Sequence, residues 1–217
     1  MNILAVLEEL KLDQTHYCGG IADIAKFFDQ IRRQLVYRMA RAAGMPETVL
    51  TAYMSYLDNL HVYNCLAGGV GRPFLRRCGI PQGCPFSMAM VALLMRPWIL
   101  IMRTYEGVTC SIIADDVLML GTGRQMARNF ARALDATHAF LHSMGPKVAP
   151  TKSFNFATHR GVKRWLSRKT WTGINATIKV VDDLRYLGAH ITTTYDCISG
   201  TLEDRINKAI TQLQHTL

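Results

Sequence analysis

The sequence predicts an α+β domain whose antiparallel sheet is covered by helices on one face. Two apolar runs, at residues 108–114 and 117–120, flank an acidic pair and show the pattern of a tight β-hairpin. An earlier apolar run at residues 21–28 predicts a partner strand, and long segments with helical periodicity separate it from the hairpin. A chain that groups its strands and helices in this order is typical of α+β architecture.

Ahead of the hairpin, glycine and proline residues divide segments that differ in apolar periodicity. Gly19-Gly20 is expected to break the chain before the first strand, Gly44 to end a helix and Pro46 to begin the next. The apolar run at 86–102 is as long as a short membrane span, but Arg96-Pro97 interrupts it. A buried helix that bends or ends there is therefore predicted. In chain order, the predicted elements are a helix at 3–10, the strand at 21–28, helices at 29–43 and 46–60, a loop at 68–71, an extended segment at 72–78 and the helix at 86–102.

After the hairpin, the sequence predicts one long helix followed by short strands. Residues 124–143 have an apolar stripe typical of an amphipathic helix. The core candidates on this stripe are Phe130, Leu134, Phe140 and Leu141. Short strands are predicted near 153–156, 177–181 and 185–188, and a last helix runs from Thr201 to the end.

The composition suits a folded protein that contacts a polyanion. With 217 residues, 49% of them hydrophobic, the chain has the size of one domain and is too apolar for a disordered one. The formal net charge is +9, and cations concentrate between residues 147 and 185, around Trp165 and Trp171. This pattern favours nucleic acid, with a solvated surface as the alternative interpretation. The cations expected to contact nucleic acid are Arg160, Lys163, Arg164, Arg168 and Lys169.

The six cysteines show no metal-binding or disulfide pattern. No pair has CxxC spacing and no histidine cluster lies near them. They are predicted to be reduced, mostly buried thiols in an intracellular protein, nuclear or cytoplasmic. The N-terminus lacks the cationic start of a signal peptide.

Three carboxylates are candidates for a metal site. Asp115-Asp116 lies where two hydrophobic runs meet, and Asp23 interrupts the earlier apolar strand. Unpaired acids are costly inside a core, so these side chains are expected at a cleft or on a metal ion. If the two strands are neighbours, Asp23 and Asp115 can clamp two Mg²⁺ ions roughly 3.5–4 Å apart for phosphoryl transfer, with Mn²⁺ as an alternative ion.

Residues 79–87, Gly-Ile-Pro-Gln-Gly-Cys-Pro-Phe-Ser, form a second distinctive segment. Two glycines and two prolines fix an unusual loop around Gln82, and Ser87 is placed to cap the helix that follows. Loop amides and a helix N-terminus favour a phosphate or a base-paired nucleotide nearby. The sequence therefore predicts a phosphate or a nucleotide near this loop.

In kind and order, these motifs resemble those of a known polymerase family. Asp-Ile-x-Lys-x-Phe-Asp at 23–29, Gly-Ile-Pro-Gln-Gly-x-Pro-x-Ser at 79–87 and Ala-Asp-Asp at 114–116 are similar to motifs A, B and C of reverse transcriptases from non-LTR retrotransposons and group II introns. Residues 145–153 resemble motif D, and residues 185–191 resemble motif E, the primer grip. The resemblance covers roughly residues 20–192.

The resemblance implies an RNA-directed DNA polymerase that adds dNTPs to a primer 3′-hydroxyl. Asp23 and Asp115 would be the main metal ligands, with Asp116 in support. Phe28 would exclude a ribose 2′-hydroxyl, and Lys152 would contact the nucleotide and act as a general acid toward pyrophosphate. Gln82 would lie near the template base and the nucleotide sugar, with Gly83 beside it in the nucleotide site.

The resemblance also assigns nucleic-acid contacts and domain limits. Tyr186, Leu187 and Gly188 would belong to the primer grip, and Asp29 would have a structural role as a helix cap. A palm with a ferredoxin-like core would occupy residues 1–192, and a thumb-like helical region would begin at 193–217. On this interpretation the chain is a fragment with absent fingers and a truncated thumb. Ile113 stands where the family usually has an aromatic residue.

Other functions remain open from the sequence alone. A catalytically inactive nucleic-acid-binding remnant of a retroelement would keep the basic region without turnover. An RNA-dependent RNA polymerase shares the palm, but Phe28 argues against ribonucleotide use. A carboxylate-triad nuclease leaves the loop at 79–87 unexplained, and a purely structural domain requires all three motifs to be coincidental. RNA template and DNA primer are the expected partners, without a membrane, and protein partners are not indicated.

Overall fold

The computed structural model describes residues 3–186 and 189–193 as a mixed α/β domain, as the sequence predicts. Leu187, Gly188, Cys197, the predicted helix from Thr201 and the thumb-like region beyond residue 193 lie outside the described residues. The helices are α1 (Ile3–Leu12), α2 (Phe27–Gln30), α3 (Arg33–Ala42), α4 (Glu47–Asp58), α5 (Pro85–Met102), α6 (Met126–Met144) and α7 (Arg160–Arg168). The strands are β1 (Tyr17–Ala25), β2 (His61–Val62), β3 (Cys65–Leu66), β4 (Gly69–Val70), β5 (Phe74–Leu75), β6 (Val108–Ile113), β7 (Asp116–Thr122), β8 (Lys147–Val148), β9 (Phe154–Ala157), β10 (Thr170–Trp171), β11 (Ala176–Thr177), β12 (Lys179–Val180), β13 (Asp183–Tyr186) and β14 (Ala189–Thr192).

The main sheet has β1 at its centre. Its strand order is β12-β9-β1-β7-β6, and β8 pairs with the end of β1. β1 runs antiparallel to β7 and β9, whereas β12 runs parallel to β9. The predicted hairpin is confirmed, since β6 and β7 pair antiparallel with Ile113 opposite Asp116.

Side chains of the central strands alternate between two apolar clusters, because successive residues of a strand point to opposite faces. On one face they enter the larger core, together with residues of α3, α4, α5 and α6. On the other face they pack with α1 and with the β13–β14 hairpin. The strand residues of the larger core include Cys18, Ala22, Val117 and Met119, and those of the smaller cluster include Tyr17, Ile21, Leu118 and Leu120.

β1 begins at Tyr17, before the predicted strand start at residue 21, and it includes Gly19 and Gly20. A Cβ atom at Gly19 would lie 2.6 Å from the Phe156 ring, and one at Gly20 would lie 3.0 Å from the Phe130 ring. The two glycines therefore let aromatic side chains approach the central strand. The predicted chain break at Gly19-Gly20 is wrong, because packing of distant aromatic residues decides the conformation.

β1 ends at Ala25, before the two phenylalanines that were predicted as strand. Lys26, with a left-handed φ of 45°, turns the chain, and Phe27 and Phe28 lie in the short helix α2. The following helix, α3, begins at Arg33 and not at Asp29. The chain thus changes direction directly after Asp23 and its strand.

α5 passes through Pro97 and continues to Met102. It is the one helix in the described part of the chain that is long and apolar enough to cross a membrane, and 39% of that span is buried inside the domain. Its buried residues, Met90, Leu94 and Trp98 among them, belong to the larger core. The sequence predicts this core helix, but the helix does not end at Pro97, and a bend there stays a prediction.

Other segments differ from the predictions. The cationic helix α7 was not predicted, because Leu166 is its one fully buried apolar residue and gives no periodic stripe. The predicted loop at 68–71 and the predicted extended segment at 72–78 contain β4 and β5, which pair with β3 and β2 in two short hairpins. The prediction of mostly buried cysteines is also wrong, since Cys65 and Cys78 are exposed while Cys18 is buried.

Candidate active site

Three aspartates lie together at one end of the central strand pair. Asp23, near the end of β1, is directly opposite Asp116, the first residue of β7. Asp115 occupies the turn between β6 and β7. The structure therefore brings together the three acids that the sequence singled out as metal ligands.

The carboxylates at this end of the sheet repel one another. Burial raises the pKa of the Asp116 carboxyl above its ordinary value, and the charges of Asp115 and Asp23 raise this pKa further. Within residues 3–186 and 189–193, no cationic side chain forms an ion pair with any of the three. Like charges opposite each other in a strand pair are destabilising, so a bound cation would relieve this repulsion.

Strained backbone flanks the acidic residues on both strands. Ala114, just before Asp115, has a φ of 56°, and Lys26, just after β1, has a φ of 45°. For residues other than glycine, this left-handed backbone conformation costs about 1–2 kcal/mol of conformational free energy. Such strain concentrates at functional sites, where the surrounding structure holds it in place.

A buried serine fixes the backbone of Asp23. The Asp23 N–H donates to Ser153 Oγ at 3.1 Å, and the Ser153 hydroxyl donates to the Ala149 carbonyl at 2.8 Å. The Ala149 N–H donates in turn to the Asp23 carbonyl at 2.9 Å. This positioning role of Ser153 was missed from the sequence, where the serine follows the more conspicuous Lys152.

Lys152 is exposed in the same turn, and its N–H donates to the Ala149 carbonyl at 3.1 Å. The segment that carries Lys152 is thus hydrogen-bonded to the strand that carries Asp23. Its assignment as a general acid stays a prediction.

The loop that begins at Gly79 packs directly on α2. The Ile80 N–H donates to the Phe28 carbonyl at 2.8 Å, and the Gly79 N–H donates to the Ile31 carbonyl at 2.9 Å. Gly79 has a φ of 81°, and a Cβ atom there would lie 2.5 Å from the Phe28 carbonyl oxygen. Only glycine fits this contact, so the loop and the segment after Asp23 form one packed unit.

Arg33 connects this unit to the end of α4 through hydrogen bonds. This role was not predicted from the sequence. The Arg33 Nε donates to the Gly79 carbonyl at 3.0 Å, and its Nη1 donates to the Leu57 carbonyl at 2.5 Å. Only 8% of its side chain is exposed. The available signal was its helical spacing with Val36 and Ala40, which are buried on the same face of α3.

Gln82 and Gly83 are exposed at the tip of the loop, where Gly83 has a φ of 80° and open space around it. The predicted cap by Ser87 is wrong, because α5 begins at Pro85 and its N-cap residue is Cys84. The Ser87 hydroxyl instead donates to the Pro81 carbonyl at 2.7 Å and closes the loop on itself.

Phe28 and Asp29 occupy the short helix α2. Phe28 is 8% exposed, and its ring meets the Phe27 ring edge-on with centroids 5.8 Å apart. The predicted cap by Asp29 is wrong, since Asp29 lies inside α2, whose N-cap residue is Lys26, and the N-cap residue of α3 is Arg32. Asp29 forms an ion pair with Arg76 and so joins α2 to the segment after β5.

Tyr186 supports the acidic hairpin from the smaller cluster. Burial raises the pKa of its hydroxyl, the nearby Ser111 hydroxyl lowers this pKa, and the charge of Asp116 raises it. These causes place the ring, 3% of which is exposed, beside β6 and β7. Leu187 and Gly188, the other predicted primer-grip residues, lie outside the described residues.

The predicted nucleic-acid contacts divide into two groups on and after α7. Three arginines are exposed at four-residue spacing and share one side of the helix; they are Arg160, Arg164 and Arg168. Lys163 pairs with Asp182, and Lys169 lies 3.2 Å from the Asp135 carboxylate. Trp171 is fully buried and cannot stack on a base, whereas Trp165 is 45% exposed.

The chemistry of the acidic site fits a hard cation. In the part of the chain that the structure describes, no three His, Cys, Asp or Glu side chains converge as a complete metal cage. Mg²⁺ is commonly held by one or two carboxylates and completes its shell with water and substrate phosphates. Adjacent, uncompensated carboxylates at Asp23, Asp115 and Asp116 supply such oxygen ligands.

The sequence matches one protein family over most of its length. The family model described as "Reverse transcriptase (RNA-dependent DNA polymerase)" matches residues 2–191. No curated protein matches the chain by sequence.

The fold is similar to that of solved telomerase structures from Candida tropicalis. One is apo telomerase truncated from the C-terminal domain, with a TM-score of 0.59 and 11% identity over 88% of this chain. Another is telomerase in complex with the TWJ fragment of telomeric RNA, with a TM-score of 0.62 and 11% identity over 92% of this chain. The matches cover 38% and 32% of those chains, so this chain spans about a third of their length. At this identity, the likeness shows the fold alone.

Proposed function

The chain belongs to the reverse transcriptase family, and on this premise we propose that it performs RNA-directed DNA synthesis by two-metal nucleotidyl transfer. The single observation that carries the proposal is the register of the central strands, which sets Asp23 opposite Asp116 and next to Asp115. Phosphoryl transfer depends mostly on positioning and on neutralising charge, and three adjacent carboxylates are suited to both.

In this proposal, Asp23 and Asp115 hold two Mg²⁺ ions and Asp116 supports them, with Mn²⁺ as an alternative. When bound, the ions supply charge neutralisation at the attacking 3′-hydroxyl and at the leaving pyrophosphate. The hydrogen bonds between Ser153, Ala149 and Asp23 hold one ligand strand in place. Lys152, exposed in that turn, donates a proton to the leaving pyrophosphate.

The incoming dNTP is proposed to lie beside Asp23, against the packed unit that α2 and the loop at 79–87 form. Gln82 and Gly83 are exposed at the loop tip and contact the nucleotide, while Phe28 limits space at the sugar. The backbone contacts of Gly79 and Ile80 with α2 support this assignment, because they couple the two proposed nucleotide contacts. A bulky ring at that position would favour deoxynucleotides over ribonucleotides.

The template and primer are proposed to lie along the palm, which would comprise residues 1–192 with a thumb starting in 193–217. Arg160, Arg164 and Arg168 would bind phosphates, since they are exposed and have no ion pair in the described ranges. Lys163 and Lys169 would contribute less, because each already pairs with a carboxylate. Tyr186 would support the primer grip through the acidic hairpin.

The amino-acid sequences of the motifs further support an origin in a non-LTR retrotransposon or group II intron. This finer assignment rests on the segments at 23–29, 79–87 and 114–116.

Primer extension on an RNA template tests the proposed function. We expect the full chain, with Mg²⁺, to extend a DNA primer with dNTPs and to stop when EDTA is added. Phe28→Ala should raise the incorporation of rNTPs relative to dNTPs. Extension that needs no template, or equal use of rNTPs and dNTPs by the native chain, would contradict the proposal; nucleic-acid binding without any extension would favour the inactive remnant.

A further inference from the structure

A cavity lined by arginines lies outside the proposed catalytic residues. It has a volume of about 430 Å³, within the range of small-ligand sites, and none of the three site aspartates lines it. Four cations line it, and no acidic side chain does so in the described ranges. The four are Arg32, Arg33, Arg38 and Arg77.

The buried member of this set has an unused donor. Only 8% of the Arg33 side chain is exposed, and its Nη2 atom has no hydrogen-bond partner among the described residues. The Nε and Nη1 atoms are occupied by the carbonyls of Gly79 and Leu57, and Nη1 lies 3.6 Å from the Asp58 carboxylate. A buried guanidinium without a full set of partners is costly, and the positive charge of Arg33 lies in the wall of this cavity.

The neighbouring groups favour an anion as that acceptor. Arg32, Arg38 and Arg77 are exposed and form no ion pair among the described residues. Arg33 also opens α3, a ten-residue helix with no acidic residue in its first turn and no side-chain cap at Arg32. The N-terminal end of a helix carries a partial positive charge, which adds to that of the guanidinium groups.

We propose that this cavity binds a phosphate group, supplied either by a nucleic-acid strand or by a free nucleotide. A phosphate offers several acceptor oxygens and matches the planar donor fork of arginine. The inference goes beyond the polymerase proposal, because it concerns a second anion site whose occupancy needs no catalysis. Binding here would contact Arg33 and so the carbonyl of Gly79, at the start of the proposed nucleotide loop.

Alkylation of Cys78 provides a local test, because Cys78 is exposed and lines the same cavity. The full chain is treated with iodoacetamide, alone or with inorganic pyrophosphate or a single-stranded RNA oligonucleotide, and the modified peptides are measured by mass spectrometry. We expect either probe to slow the alkylation of Cys78 at least about threefold, while the exposed Cys65 reacts at an unchanged rate. Protection by the oligonucleotide at lower concentration would identify a strand as the source; stronger protection by pyrophosphate would identify a nucleotide.

Arginine variants show whether the cavity is responsible. Arg32→Gln with Arg38→Gln should abolish protection of Cys78, and Arg128→Gln on the exposed start of α6 should retain it. Arg128 is far from the cavity, since it lies about 22 Å along α6 from Ser143, at about 1.5 Å per residue. The inference would be overturned if neither probe protects Cys78, or if protection survives in the double variant. The alkylation assay needs no turnover. If the chain binds phosphate here but extends no primer, only the polymerase proposal is refuted and the phosphate site stands.

Discussion

At the scale of single residues, the site is defined by negatively charged side chains that face each other. Asp23 and Asp116 face each other across β1 and β7, and burial together with Asp115 and Asp23 raises the pKa of Asp116. A carboxyl whose pKa is raised by folding destabilises the folded protein above that pKa, and the penalty disappears as the pH falls toward 3.8. The acidic site should therefore cost stability at neutral pH unless a cation is bound.

Asp116→Asn should stabilise the metal-free chain. We expect a gain of about 0.2–1 kcal/mol at pH 7 in EDTA, because one of two directly opposed charges is removed. Thermal unfolding measures the gain, which should vanish near pH 4. Mg²⁺ should stabilise the native chain more than the variant, whereas Asp13→Asn, at an exposed position, should leave both values unchanged. A variant less stable than the native chain in EDTA would contradict this account.

At the scale of elements, the link between α2 and the loop at 79–87 organises the site. Gly79 and Gly83 both have a positive φ, of 81° and 80°, but their surroundings differ. A Cβ atom at Gly79 would meet the backbone of Phe28 and Asp29, whereas one at Gly83 would meet no atom of the described residues within 4 Å. The two glycines therefore separate the effect of close packing from that of backbone conformation.

Gly79→Ala should destabilise the fold by about 2–4 kcal/mol, since it adds a backbone clash to an unfavourable φ. Gly83→Ala should cost about 1 kcal/mol, because only the backbone conformation opposes it. Denaturant unfolding of both variants provides the comparison. Equal losses of stability in the two would show that the contact with α2 is unimportant.

Sequence reasoning succeeded for elements whose chemistry is local. The hairpin around Asp115-Asp116 and the apolar helix α5 followed directly from periodicity. It failed where packing between residues distant in the sequence decides the backbone conformation. Gly19 and Gly20 are the example, because they leave room for the rings of Phe156 and Phe130. Ser153 and Arg33 were also missed, because their roles depend on hydrogen bonds to segments far away in the chain.

At the scale of the whole molecule, a neutral histidine lies in the core away from the acidic site. His138 is 2% exposed, and burial lowers its pKa to about 4, while Asp135 raises this pKa and Lys169 lowers it. The unfolded chain binds a proton at His138 near pH 6.5, and the folded chain does so only near pH 4. Stability is therefore lost as the pH falls through this window.

His138→Leu should flatten the pH dependence of stability. We expect the native chain to lose on the order of 3 kcal/mol from this group between pH 6.5 and 4, and the variant to keep most of it. Urea unfolding at several pH values gives the slopes. His142→Gln, at an exposed position of the same helix, is the matched control and should behave as the native chain does. An unchanged slope in His138→Leu would show that another group controls acid unfolding.

The whole fold, finally, brings together three carboxylates from β1, from β7 and from the turn before β7. The central claim is that they support nucleotidyl transfer. The most direct measurement is Mg²⁺-dependent primer extension by Asp115→Asn beside the exposed control Asp13→Asn. The account predicts a loss of at least about 100-fold for Asp115→Asn, since a metal ligand supplies several kcal/mol of transition-state stabilisation, and native rates for Asp13→Asn. Native extension rates in Asp115→Asn would contradict it.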